Sequence, residues 1–269
     1  MPDKNMPDMS RDAMNAFPFW FEKIKHIESD VLKLPKSIYI PVPAETQRAF
    51  YMERPEDRSV IDDFVEHTVR PAMQAANIGL CFLKNGCYSH KFDAKSACLP
   101  LMSNLSNAVM TIMYEAMLRC GFQYDGTECL VVRERIQHKS NATPCIYNGL
   151  PFRPEYRVFY DFDTKKPIFT IDYWQKDYVY DKLYDLTDKL IFDAWYDGHI
   201  RPEFEKNQGF VTQAVVNAMC QADDLHGPWS VDIMQDEAGR FWLIDMAVAE
   251  LSAYWERRPD SWKNAHEKT

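Results

Sequence analysis

The sequence predicts an α+β protein in which antiparallel hairpins stand beside helices, and three observations carry that expectation. Two pairs of strand-like runs are each separated by a short polar turn: EYRVFYDF (155–162) and PIFTIDYW (167–174) around DTKK, and WSVDIMQ (229–235) and RFWLIDM (240–246) around DEAG. Two segments, 104–120 and 210–225, repeat their apolar residues at the helical period. Strands and helices do not alternate regularly, as they would in a doubly wound sheet.

Taken in order, residues 13–36 form a helical or irregular lead-in anchored by Phe17, Phe19, Trp20 and Phe21, and SIYIPV (37–42) reads as a strand. Ser59 is placed to cap a helix starting near Val60, which Pro71 should end or kink. IGLCFLK (78–84) is a strand by its apolar run, and KNGCYSHKF after it signals a loop. In the helix over 104–120, Leu105, Val109, Ile112, Met113 and Ala116 share a face, and Gly121 is the expected stop. CLVVRERI (129–136) is a strand; 177–200 is a mixed helical stretch; Val211, Ala214, Val215, Ala218 and Met219 line the helix over 210–225.

The bulk numbers narrow the function. A chain of 269 residues exceeds the usual ~100–200 per domain, so one large domain or two intimate lobes are expected. The net charge of −9, with cations scattered among acids, argues against nucleic acid as a partner. The seven cysteines include no CxxC and read as reduced, small apolar residues. Neither they nor the seven histidines cluster as zinc ligands. The N-terminal residues lack an apolar signal core, and no apolar run approaches the ~20 residues that span a bilayer, so no membrane association and a cytoplasmic location are expected.

The chemistry concentrates in the hairpins. If DEAG is a four-residue loop, Asp232 lies opposite Leu243, and Asp245 is its diagonal neighbour on the same face. The other face then holds Val231, Ile233, Trp242, Ile244 and Met246. Two carboxylates so placed either point into solvent or share a cation, and magnesium held by carboxylates and nucleotide phosphates suits the second case. Lys84 ends a buried strand and opens a loop carrying Asn85, Gly86, Ser89 and Lys91, which reads either as a phosphate-neutralising site or as a surface loop with two lysines. With DTKK as the loop, Arg157 stands opposite Asp172, either as a plain cross-strand pair or as a guanidinium held toward a nucleotide. In LVVRERI, Arg133 and Arg135 face one way and Glu134 the other.

The order of these pieces resembles the ATP-grasp superfamily, whose two α+β lobes with antiparallel sheets enclose a nucleotide cleft. FPFWFEKI (17–24), LKLPKSI (32–38), CFLKNGCYSHKFDAK (81–95), LVVRERI, PEYRVF, WQKDYVY (174–180) and VDIMQDEAGRFWLIDM (231–246) are similar, in order, to motifs of the cell-division-cycle ATP-grasp proteins that help assemble the eukaryotic translation initiation factor two complex. The resemblance implies a lead-in over 1–77, a small lobe over 78–136 and a large lobe over 137–262. It implies ATP and Mg2+ as cofactors: nucleotide on Lys84, Gly86, Ser89, Lys91, Arg133, Glu134, Arg135 and Arg157, metal on Asp232 and Asp245, and catalytic roles for Arg157 and Lys176. Two positions depart from the family pattern. Ala247 replaces an asparagine metal ligand, with Glu250 or Ser252 as the candidate substitute, and Lys176 replaces an arginine.

Two functions follow from the resemblance. One is an ATP-dependent carboxylate–amine ligase acting through an acyl phosphate on a small molecule or peptide, with Asp172, Tyr173 and Trp174 along the acceptor path. The other is an ATP-dependent assembly chaperone that binds a protein client with little or no catalysis, in which the aromatic segment 17–21 is either a docking patch or a core anchor.

Overall fold

The computed structural model describes residues 11–52, 55–87, 97–99, 104–119, 128–137 and 143–266. Its strands are β1 (Leu32–Lys33), β2 (Ser37–Pro41), β3 (Cys81–Asn85), β4 (Cys98–Leu99), β5 (Cys129–Glu134), β6 (Cys145–Ile146), β7 (Leu150–Pro151), β8 (Glu155–Asp161), β9 (Lys166–Asp172), β10 (Pro228–Gln235) and β11 (Phe241–Val248). They form a five-stranded sheet in the order β1-β11-β10-β8-β9, a four-stranded sheet in the order β2-β5-β3-β4, and the small hairpin β6-β7. Every pairing is antiparallel except β1 on β11. The architecture is α+β, as the hairpins predict. The lead-in is shared between the sheets, β1 joining one and β2 the other.

Alternation along the strands gives each sheet one apolar face. On the five-stranded sheet, Tyr156, Val158, Tyr160, Val231, Ile233, Leu243 and Met246 bury against Phe17, Trp20 and Ile24 of helix Phe17–Ile24 and against Val211, Val215 and Ala218 of helix Arg201–Met219. Its opposite face is covered in part by Tyr254 and Trp255, which pack on Phe159. On the four-stranded sheet, Leu83, Leu130 and Val132 meet Val109, Ile112 and Met113 of helix Leu105–Arg119. Each Val, Leu, Ile, Phe or Met among them, fully buried, contributes roughly 1.5–3 kcal/mol.

Three regions depart from expectation. The helix expected to start at a Ser59 cap near Val60 begins at Pro55 instead, so Ser59 lies inside it. Of the two outcomes expected at Pro71, the helical run does not end there: Pro55–Phe64 passes through a π-helical turn, Val65–Val69, and resumes as Arg70–Ala75 with the proline in its first turn. A proline is tolerated there because its missing N–H is not needed by the new segment. The β8–β9 hairpin turns one residue earlier than its composition suggests, pairing Asp161 with Lys166. Asp161 stabilises that turn by accepting from the Asp163 N–H and the Thr164 hydroxyl, and Lys165 takes a left-handed φ of 53°. That turn alone would set Arg157 against Thr170; a bulge between Phe159 and Tyr160 takes back one residue, so Arg157 stands opposite Ile171 and it is Tyr156 that faces Asp172.

The last hairpin carries the third correction. Its loop spans residues 236–240, with Gly239 at φ 73° and the Asp236 carboxylate accepting from the Ala238 and Arg240 backbone N–H groups, Arg240 Nε and Trp242 Nε1. Gln235 thus pairs with Phe241, and a bulge beside Asp232 adds a second one-residue displacement in the same direction. Asp232 and Asp245 come to stand directly opposite each other, where diagonal placement had been expected. The bulge also moves Ile244 out of the core face, while Phe241 and Leu243 join it.

Among the described residues no helix is long and apolar enough to cross a membrane. The six described cysteines are free; Cys81 and Cys129 are buried, and burial pushes both thiols up to about 12.

Candidate functional site

A cavity of about 290 Å3 lies where the two sheets meet. Phe82, Lys84 and Arg133 reach it from the four-stranded sheet; Glu155, Arg157, Asp232, Ile244 and Asp245 reach it from the five-stranded one. Strand periodicity explains the convergence. Lys84 pairs with Val131 and Phe82 with Arg133, so these four share one face. Asp232 pairs with Arg157 on one side and with Asp245 on the other, so three charges form a row across β8, β10 and β11.

That row is neutralised in pairs. Arg157 donates from Nε and Nη2 to the two oxygens of Asp232 at 2.8 and 2.6 Å, a bidentate contact between groups about one tenth exposed. Its Nη1 donates to the Ala253 carbonyl at 3.1 Å, and its guanidinium lies 4.8 Å from the Tyr173 ring centre. Burial opposes the charge on Arg157, and the Asp232 carboxylate more than restores it, so its pKa rises. Lys84 donates to Asp245 at 3.0 Å; the lysine is buried and the aspartate one third exposed. This contact joins the two sheets.

Arg133 differs. It is 6% exposed and makes no hydrogen bond or ion pair among the described residues, and its buried Nε is unsatisfied. Its nearest organised partner is the ring of Phe17, 5.6 Å away, over which Lys84 also lies at 5.7 Å. Burial lowers its pKa, only partly offset by Asp245.

The remaining sequence candidates fall into four groups. Glu134 and Arg135 line the cavity, with the Glu134 carboxylate accepting from the Lys36 N–H at 2.8 Å. The Gly86 carbonyl accepts from the Phe17 N–H at 2.7 Å, and a Cβ on this glycine would meet Cys129 Sγ at 2.7 Å, so close packing requires the glycine. Ser89 and Lys91 lie outside the described residues. Lys176 does not line the cavity; it is half exposed and pairs with Asp193 at 2.8 Å.

Of the stretch read as an acceptor path, only Tyr173 lines the cavity. Asp172 is buried elsewhere, accepting from the Trp174 N–H and the Tyr196 hydroxyl, and burial pushes its carboxyl up to about 6. Trp174 is 1% exposed and donates its indole N–H to the Arg153 carbonyl.

Arg153 is the residue that sequence reasoning missed. It is 3% exposed, lines the cavity and contacts the Gln137 carbonyl and Glu237. The signal was present: 153, 155 and 157 follow the period of a strand, with all three residues charged.

The donor set fits magnesium that takes the rest of its coordination from phosphates, since two carboxylates face each other across one strand pair and one of them is open to the cavity. Among the described residues no group of three or more His, Cys, Asp or Glu could hold a metal by itself. Ala247 pairs with Ser230 and offers no side-chain ligand, and the Ser252 hydroxyl is engaged at 2.7 Å with Ser230 and at 3.1 Å with the Val248 carbonyl.

No protein-family model matches the sequence, and no curated protein does. Solved structures do match. Cdc123 from Schizosaccharomyces pombe superposes with a TM-score of 0.56 at 13% identity, over 92% of this chain and 90% of that one. The VanG D-Ala:D-Ser ligase from Enterococcus faecalis gives 0.43 at 12% identity, over 88% and 52%. The D-alanine-D-alanine ligase from Coxiella burnetii gives 0.42 at 10%, over 94% and 52%. The chain spans about half the length of the two ligases. The fold is that of the ATP-grasp proteins, with two α+β lobes built on antiparallel sheets.

Proposed function

We propose that this protein binds ATP with magnesium in the cleft between its two sheets and activates a carboxylate as an acyl phosphate for attack by an amine. One observation carries the reading: four buried cations, Lys84, Arg133, Arg153 and Arg157, line a single cavity together with the opposed pair Asp232 and Asp245. Burying so many charges is costly unless each is compensated; carboxylates pair with Lys84, Arg153 and Arg157, and a triphosphate with its cation would take over that compensation. The apolar part of the lining, Phe82, Ile136, Leu150 and Pro151, suits a planar base.

Lys84 and Arg157 would exchange their aspartates for phosphate oxygens, which leaves Asp245 and Asp232 to hold magnesium. Magnesium, when bound, neutralises charge on the transferring phosphoryl group. Arg157 is oriented by the Ala253 carbonyl and the Tyr173 ring, so its fork stays directed at the cavity after Asp232 lets go. No covalent nucleophile is required; the chain supplies position and charge. The substrate is a small molecule or a peptide entering beside the phosphates.

A second reading, ATP-dependent binding of a protein client with little turnover, is favoured by Ala247, which offers no side-chain ligand where the family carries asparagine, and by the engagement of the Ser252 hydroxyl with Ser230. Purified protein with magnesium and ATP tests both. A rise in thermal midpoint with ADP release on adding amino acids or peptides supports the ligase. The same rise without turnover supports the second reading. No rise at millimolar MgATP sinks the nucleotide site itself.

A further inference from the structure

Arg157 keeps two contacts that do not depend on Asp232, the Ala253 carbonyl and the Tyr173 ring, and one residue is fastened to both. Tyr254 follows Ala253 directly, and its hydroxyl donates to the Tyr173 carbonyl at 2.8 Å. It is 1% exposed, with its ring against Tyr178 at 4.7 Å. Its backbone is left-handed, at φ 75° and ψ 2°. A bulky residue is an outlier in that region, where glycine or asparagine is the easier choice. Such residues persist where the surroundings over-determine them, and they gather at binding and catalytic sites.

The conformation has a geometric use. Ala253 carries only a methyl group, so the direction of its carbonyl is set by the residues on either side. Upstream, the Ser252 hydroxyl meets that of Ser230 on β10 at 2.7 Å and donates to the Val248 carbonyl at 3.1 Å. Downstream, the left-handed residue Tyr254 turns the chain into the short 3-10 helix Trp255–Arg257 and sends its phenol to Tyr173. Residues 252–254 therefore form a strap. One end is tied to the strand that carries Asp232, and the other to the residue whose ring lies 4.8 Å from the Arg157 guanidinium. Tyr254 does not line the cavity, so its influence there passes through the groups it holds.

We propose that Tyr254 is a positioning residue which, with Ser252, fixes the Ala253 carbonyl and the Tyr173 ring so that Arg157 stays directed at the cleft once Asp232 is released. The inference rests on the reading of the cleft as a nucleotide site. The strap matters little while Arg157 is forked onto Asp232, and it sets the guanidinium's direction when the fork turns to phosphate.

The test uses the full chain, with calorimetry of MgATP and of adenosine. Tyr254→Phe keeps the buried ring and removes one hydrogen bond. It is expected to bind MgATP on the order of fivefold to tenfold more weakly than wild type. Adenosine has no phosphate for Arg157 to reach and should bind both proteins alike. Equal MgATP affinity in wild type and variant overturns the proposal. So does an equal weakening of both ligands, because the change has then spread through the whole cleft as a structural role requires. If Tyr254→Phe does not fold, Ser252→Ala frees the other end of the strap and must show the same split between MgATP and adenosine; no split overturns the proposal. Absence of MgATP binding to wild type removes the nucleotide reading itself, whereas MgATP bound equally by wild type and variant leaves that reading standing and removes only the role of Tyr254.

Discussion

Asp245 is the residue at which the structure changes an expectation most. Repulsion between two unshielded aspartates would make Asp245→Asn neutral or stabilising in the absence of metal. With Lys84 buried against Asp245 at 3.0 Å, the same change leaves a buried ammonium on a neutral amide. The apo protein should lose about 1–2 kcal/mol, discounted because Asp245 is one third exposed, and the MgATP-induced rise in thermal midpoint should shrink; differential scanning fluorimetry reads both. Asp172 makes a prediction in pH. Burial raises its carboxyl from 3.8 to about 6, so its contribution to stability is fully present below pH ~4 and is lost as pH rises through about 6. Asp172→Asn can retain the contacts to Trp174 and Tyr196, and it should raise stability at pH 7 by on the order of 2 kcal/mol and flatten the wild-type decline between pH 4 and 6, measured by urea unfolding across that range. Lys84, Arg157, Asp232 and Asp245 were legible because charged residues are rare in otherwise apolar strands. Their partners were not, since pairing depends on registers that one residue of turn can shift.

At the scale of the element, the β10–β11 hairpin decides the site. Its loop is closed by one carboxylate: Asp236 accepts four hydrogen bonds, two from backbone N–H groups and two from the side chains of Arg240 and Trp242. Burial pushes this carboxyl up, but the donors outweigh it and its pKa is lowered. Asp236→Ala should cost roughly 2–4 kcal/mol in chemical denaturation. It should also weaken MgATP binding, because the loop sets the register that places Asp232 opposite Asp245. The existence of this hairpin, its strand composition and the shared face of the two aspartates were readable from alternation. The fifth loop residue and the bulge were not, because a bulge answers to neighbours across the sheet that no local window contains. The π-helical turn at Val65–Val69 has the same origin: Pro71 announces a break, and only packing against the four-stranded sheet decides that the helix resumes.

At the scale of the molecule, helix Phe17–Ile24 ties the halves together. Phe17 donates its N–H to Gly86 at the end of β3, stacks on Phe21 at 4.6 Å and lies in the core under the five-stranded sheet. Phe17→Ala should destabilise by about 3–5 kcal/mol, the usual cost of such a cavity, with both sheets lost in one transition when tryptophan fluorescence and circular dichroism are followed together. The sequence offered the aromatic run as core anchor or docking patch, and burial of Phe17 and Trp20 decides for the core. The two-sheet plan itself was visible in the order of the strands, whereas the split of the lead-in between sheets was not, since β1 and β2 find partners some 90 to 200 residues away. The ion pairs inside the cleft have one more consequence, for traffic from solution. Lys84 and Arg157 spend their charge on aspartates, so on a chain of net charge −9 little positive field extends into the solvent. On the proposed reading, a nucleotide diffusing inward would be repelled at long range by the net charge and held only at contact. Its capture rate should therefore quicken as salt shortens the reach of that repulsion to about 8–10 Å, the reverse of an open basic groove. Stopped-flow fluorescence at rising ionic strength would read this directly, and a capture rate that falls with salt would mean the ion pairs are already open in the resting protein.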